Sequence, residues 1–174
     1  MQFTVRHVFH TDLDTYWNEI FFSPDYNGRL YSEALGFKHF ETVELTGEPG
    51  GPRTRVMRTE PAADAPAVVR KLIGDSLTYT ETGRFDPQTA IWTYDIKLSK
   101  LTEKVSIHGR LYAEPVADGI ERVAEINVEV RVFGGGVVEK FIEKTTRDSY
   151  VKASAFTNQY IREKGLGPKK TEAS

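Results

Sequence analysis

A chain of 174 residues, 39% hydrophobic and 28% charged, is long enough to bury a sizeable core and too apolar to remain disordered. Its formal net charge of −2 gives no global pull towards nucleic acid or anionic lipid, so no nucleic-acid partner is expected. Without a single cysteine, disulfides and thiolate chemistry are excluded, which suits a reducing cytoplasm.

The opening, MQFTVRHVFHTD, alternates from its first residues and has no long apolar run, so no signal peptide is expected. Phe3, Val5, His7 and Phe9 form one face of a first strand. Thr11 or Asp12 then caps a short helix, DLDTYWNEIFF. Ser23 followed by Pro24 starts a second, PDYNGRLYSEALG, which ends at Gly36. FKHFETVELTG and RTRVMRTEP read as two strands joined by the turn EPGGP. The segment from Ala62 to Asp75 is either a short helix or an irregular connection. Four more alternating runs follow: SLTYTETGRFD, AIWTYDIKLSKL, KVSIHGRLYAEPV and GIERVAEINVEVRVF.

The last long stretch opens on Gly134, Gly135 and Gly136 and then has neither Pro nor Gly until Gly165. It predicts a helix of about 28 residues, roughly 42 Å long. Val138, Phe141, Ile142, Thr145, Ser149, Ala153, Phe156 and Tyr160 share one face, and charged residues occupy the other. No stretch approaches the roughly 18 consecutive apolar residues of a membrane span, so no stable membrane insertion is expected. Residues 1–164 are read as one domain, and 165–174, rich in Gly, Pro and Lys, as a disordered tail.

One strand, two short helices, six strands in a meander and one long helix make an α+β helix-grip. A curved antiparallel sheet of about seven strands wraps around the C-terminal helix. Alternation turns inward Leu77, Tyr79, Glu81 and Phe85, then Trp92, Tyr94, Ile96 and Leu98, then Val105, Ile107, Gly109 and Leu111, and alternate residues from Ala124 to Val132. Val43, Leu45 and Val56 are the inward residues of the second and third strands. This inner set fits either a filled core or a ligand cavity. Small residues at mid-helix, Thr145, Ser149 and Ala153, leave room for a ligand, with Phe141 and Phe156 bounding it. The expected lining is His7, Tyr79, Glu81, Trp92, Tyr94, Ile107, Ile126, Val128, Phe141, Thr145, Ser149 and Phe156.

His7 and Glu81 are the polar exceptions on apolar faces. They either fix a ligand's orientation or are satisfied structurally, Glu81 by a neighbour such as Arg58. Arg53, Arg55, Arg58 and Lys71 read as a solvated basic face. Four separated histidines, with His108 facing outward, give no metal-binding pair, and no metal or other cofactor is expected. No G-x-S-x-G elbow is present. The glycine run lacks the ending of a phosphate loop and reads as a sharp turn from strand to helix.

Three stretches, FTVRHVFHTDLDTYW, KLIGDSLTYTETGRF and VFGGGVVEKFIEK, set in this order of elements, resemble the START-like, or birch-pollen-allergen-like, helix-grip superfamily (SRPBCC). The likeness runs from about Gln2 to about Lys164, and it is greatest to a bacterial branch classed only as a domain of unknown function. It implies a deep hydrophobic pocket between sheet and helix, holding lipids, sterols, polyketides or similar molecules. A minority of such proteins are cyclases or hydrolases. Iron-dependent branches carry histidines that have no counterpart on the long helix here. Three functions follow as expectations. The first is non-catalytic binding or carriage of a hydrophobic small molecule or lipid, in the cytoplasm. The second is a cyclase or aromatase using His7 and Glu81, and the third a packed interaction module. The sequence sets no oligomeric state.

Overall fold

Alternation along β1 (Gln2–Phe9) buries Phe3, Val5 and Phe9 on one face. In the computed structural model, which describes residues 1–62, 65–74 and 76–169, the chain then turns at Asp12. The Asp12 carboxylate accepts the Thr15 N–H at 2.8 Å and starts α1 (Leu13–Thr15). This single turn widens into a π-helical segment, Tyr16–Phe21. Ser23 caps α2 (Pro24–Arg29), its hydroxyl accepting from the Tyr26 N–H at 3.3 Å, and α2 widens likewise over Leu30–Ala34. The caps are those the sequence predicts; the π-helical turns are not foreseen in it.

The remaining strands are β2 (His39–Thr46), β3 (Arg53–Glu60), β4 (Tyr79–Asp86), β5 (Ile91–Leu98), β6 (Val105–Val116) and β7 (Gly119–Val130). All seven pair antiparallel in the order β1-β7-β6-β5-β4-β3-β2. Because β1 and β2 are the two edges, the helical segments between them must cross from one side of the sheet to the other. Between β3 and β4 lies α3 (Ala67–Ile73), so the ambiguous segment contains a helix, with Val69 and Ile73 buried against Val138. Residues 63, 64 and 75 of that segment lie outside the described residues.

Three expectations about the sheet need correction. Val43 is 48% exposed because the β2–β3 register shifts between Thr42 and Glu44. Val56 is not the inward residue of β3: Arg55, Met57 and Thr59 are buried instead. An inward arginine broke the apolar alternation, so the phase followed the lone valine. Arg55 therefore leaves the solvated basic face to which it was assigned. Finally, β7 ends at Val130, and Val132 lies in the turn that follows.

The long helix α4 (Gly135–Lys164) has 30 residues. Gly134, at φ 75°, makes the sharp turn into it. Gly135 then passes so close to β7 that a Cβ would sit 2.7 Å from the Val130 carbonyl oxygen. Gly165, at φ 65°, ends the helix in a Schellman motif, with Leu166 N–H donating to Ile161 O at 2.9 Å. The tail expected to be disordered from residue 165 is tied down as far as Lys169. Thr11 Oγ1 donates to Leu166 O at 2.6 Å, and Lys169 N–H to the Asp12 carboxylate at 3.0 Å. Residues 170–174 lie outside the described residues. The whole is the expected helix-grip: an open seven-stranded sheet, short helices after β1 and a long terminal helix.

Candidate functional site: a cavity under the long helix

The α4 backbone lies close to β1, β7 and the second π-helical turn and stands off the middle strands. The space left over β4, β5 and β6 is a cavity of about 530 Å³, within the usual range for small-molecule sites. An interior fully closed by side chains, one of the sequence-based alternatives, is therefore not what forms.

Its floor is built from β4 to β7: Tyr79 and Glu81, Trp92 and Tyr94, Ile107 and Leu111, and Ile126. Two glycines let the large rings lie flat. The Trp92 ring covers Gly83 on β4, and the Tyr94 ring covers Gly109 on β6; a Cβ at either glycine would collide with it. The roof is α4, through Phe141, Ile142, Thr145, Ser149, Tyr150 and Ala153. Thr145 Oγ1 donates back to Phe141 O at 2.9 Å, so the helix itself satisfies this hydroxyl. Phe21, Tyr26, Leu30 and Tyr31 close one side, and the exposed residues Lys38, Ala62 and Arg70 mark a mouth beside α3.

Two buried arginines distinguish this cavity from a plain apolar one. Arg55 Nη2 lies 3.5 Å from Glu81 Oε1, with side-chain exposures of 5% and 13%. Arg55 Nη1 also donates to Phe21 O at 2.9 Å, a carbonyl at the end of the first π-helical turn that accepts a second bond from Asn27 Nδ2. The guanidinium stacks over the Phe21 ring at 4.5 Å and Trp92 at 5.0 Å. Burial pushes the Glu81 carboxyl above its ordinary 4.5, against the opposing pull of Arg55. Arg122, on β7, also lines the cavity; its guanidinium lies over Phe9 at 4.6 Å and Tyr150 at 4.8 Å. Burial raises the phenols of Tyr79, Tyr94 and Tyr150 as well, keeping them protonated.

Of the residues expected to line a pocket, Tyr79, Glu81, Trp92, Tyr94, Ile107, Ile126, Phe141, Thr145 and Ser149 do so. His7, Val128 and Phe156 do not. His7 is half-buried on the edge strand β1, opposite Arg122, and burial with the nearby guanidinium lowers its pKa below 6.5. It does not share the cavity with Glu81, which removes the expected acid–base pair. Val128 is fully buried in the packed core. Phe156 packs on Tyr26, with ring centroids 5.9 Å apart, and Tyr26 takes its place in the lining. Arg58, proposed as the partner of Glu81, faces away and pairs with Glu41 at 3.7 Å.

Arg55, Arg122, Tyr26, Tyr31 and Tyr150 are lining residues that sequence reasoning missed. For Arg122 the signal was present, since alternation carried two residues back from Ala124 reaches it. Among the described residues, no three His, Cys, Asp or Glu side chains cluster to hold a metal, and no helix is long and apolar enough to cross a membrane.

Three solved structures share this architecture. A Thermus thermophilus protein, TTHA0849, superposes with a TM-score of 0.61 at 12% identity, covering 94% of this chain and 99% of its own. The Zhui aromatase/cyclase from a Streptomyces species gives 0.56 at 14% identity, covering 95% and 94%. A START superfamily protein from Mycobacterium smegmatis gives 0.55 at 13% identity, covering 92% and 97%. These likenesses show a START-like helix-grip fold. No curated protein matches in sequence. A family profile described as "Protein of unknown function (DUF2505)" matches residues 4–161, nearly the whole folded chain, and the protein belongs to that family.

Proposed function

We propose that the protein binds or carries a hydrophobic small molecule or lipid in the cavity beneath α4, without catalysing its conversion. The observation that carries this reading is the cavity itself, about 530 Å³ between sheet and helix with mainly apolar and aromatic walls. Burial of ligand surface there contributes roughly 25 cal/mol per Å², and the polar groups set its orientation. A START superfamily protein and an aromatase/cyclase among the structural neighbours are compatible with such a site. The cysteine-free composition fits work in the cytoplasm.

A native mass spectrum of gently purified protein, with titration of an apolar fluorescent probe, tests the reading. The expected result is a retained adduct or saturable probe binding at one site. A bare apo mass together with no probe binding overturns it. Cyclase-type chemistry in the same cavity is the second reading, carried by Glu81, a buried carboxyl with a raised pKa that faces the ligand space. An aromatase/cyclase reaction run on polyketide-like probes, giving product with wild type and none with Glu81→Gln, decides for it.

A further inference from the structure

Arg122 is only 6% exposed, lines the cavity, and has no hydrogen-bond partner for its Nε and Nη2. Its surroundings are aromatic: the Phe9 ring at 4.6 Å, the Tyr150 ring at 4.8 Å, and Tyr16, itself 1% exposed. The Tyr16 hydroxyl lies beside the guanidinium without meeting it in hydrogen-bond geometry. The contrast with Arg55 is direct. Arg55 has Glu81 and the Phe21 carbonyl, whereas Arg122 has no carboxylate at ion-pair distance among the described residues.

A guanidinium stays charged at every accessible pH. Held in an apolar wall without a counter-charge it is a costly residue, and the aromatic faces return only part of that cost. For packing alone, Leu or Met at the same place would serve better. What a guanidinium does well is grip an oxyanion through its planar fork of N–H donors. Resting on the binding reading above, we infer that the ligand is an amphipathic anion. Its apolar body lies between the Trp92 and Tyr94 floor and α4, and its carboxylate or phosphate head is held by Arg122.

Isothermal titration calorimetry with three probes of equal alkyl chain, decanol, decanoate and monodecyl phosphate, tests this. In the wild type one or both anions bind roughly tenfold or more tightly than decanol. Arg122→Met removes that advantage and leaves decanol binding in place, and Arg122→Lys keeps part of it. The order of decanoate and monodecyl phosphate tells which head group the site prefers. Equal binding of all three probes overturns the inference and leaves hydrophobic binding standing; no binding of any overturns both. Should Arg122→Met fail to fold, Arg122→Gln takes its place, because Arg55 also lines the cavity and only a change at Arg122 assigns the head group to it; an anion preference unchanged in that variant overturns the assignment.

Discussion

Arg55 on β3 and Glu81 on β4 are diagonal neighbours across the strand pair and meet inside the cavity wall at 3.5 Å. Both side chains are largely withdrawn from solvent, Arg55 more fully than Glu81, so each charge depends in large part on the other. Removing one partner of a buried pair leaves an uncompensated charge, whereas replacing both with apolar residues is often close to neutral. Arg55→Met is expected to destabilise the fold by about 3–5 kcal/mol. The double change Arg55→Met with Glu81→Leu is expected to recover most of that loss. Urea unfolding of the wild type, both single variants and the double variant closes the cycle; strictly additive losses would show that the pair is not coupled.

Glu81 also gives the fold a pH dependence of known sign. Its carboxyl is raised above 4.5 by burial, so the folded state binds this proton more tightly than the unfolded chain. The associated stability is complete below 4.5 and is lost as pH rises through the raised value. His7 runs the other way. Its pKa is lowered from 6.5, so its contribution is complete above 6.5 and is lost as pH falls through the lowered value. Subtracting the stability of Glu81→Gln from that of wild type cancels the His7 contribution. That difference is expected to decline with rising pH, in a window that opens at 4.5. A difference that stays flat across the titration would remove Glu81 from the account.

Most of the architecture was legible because it rests on local signals. Asp12 and Ser23 cap their helices by short-range hydrogen bonds, and the alternation of β5 and β6 follows from one wet and one dry face. The roof of the cavity was legible for the same reason: a 3.6-residue period placed Thr145 and Ser149 on the inner side. What was not legible depends on distant partners. Arg55 is tolerated inside only because Glu81, 26 residues away, and the Phe21 carbonyl receive it. No pattern within β3 announces that. Phe156 was misplaced because Tyr26, brought by α2, occupies the lining in its stead.

Gly83 offers a test of how the floor is held. Trp92 lies directly over this glycine, where there is no room for a Cβ. Gly83→Ala is expected to push the indole off its place and to cost about 1–3 kcal/mol, the usual range for overpacking. Combining it with Trp92→Leu removes the clash, so the double variant is expected to lose less than the sum of the two single losses. The chain has 2 tryptophans, and in a Trp17→Phe background Trp92 fluorescence reports the displacement alone. An unchanged spectrum and unchanged stability in Gly83→Ala would mean that the ring does not rest on that backbone.

Ser149 tests whether the space under α4 is the binding site. It lies on the roof, in the run of small residues between Thr145 and Ala153. A larger apolar side chain there has a cavity to enter rather than a packed core to disrupt. Ser149→Phe is therefore expected to leave thermal stability unchanged or higher, since burying the ring offers about 1.5–3 kcal/mol against its lost rotamer freedom and any local strain. The same ring fills volume a ligand needs, so affinity for a neutral probe such as decanol is expected to fall by at least about tenfold, about 1.4 kcal/mol. Lys152→Phe, on the exposed side of the same helix, is the control and is expected to bind as wild type does. Calorimetric titration and thermal melts of both variants separate the cases. Wild-type affinity in Ser149→Phe would place the ligand elsewhere, whereas a fall in stability would mean that the helix sits closer to the sheet than the cavity requires.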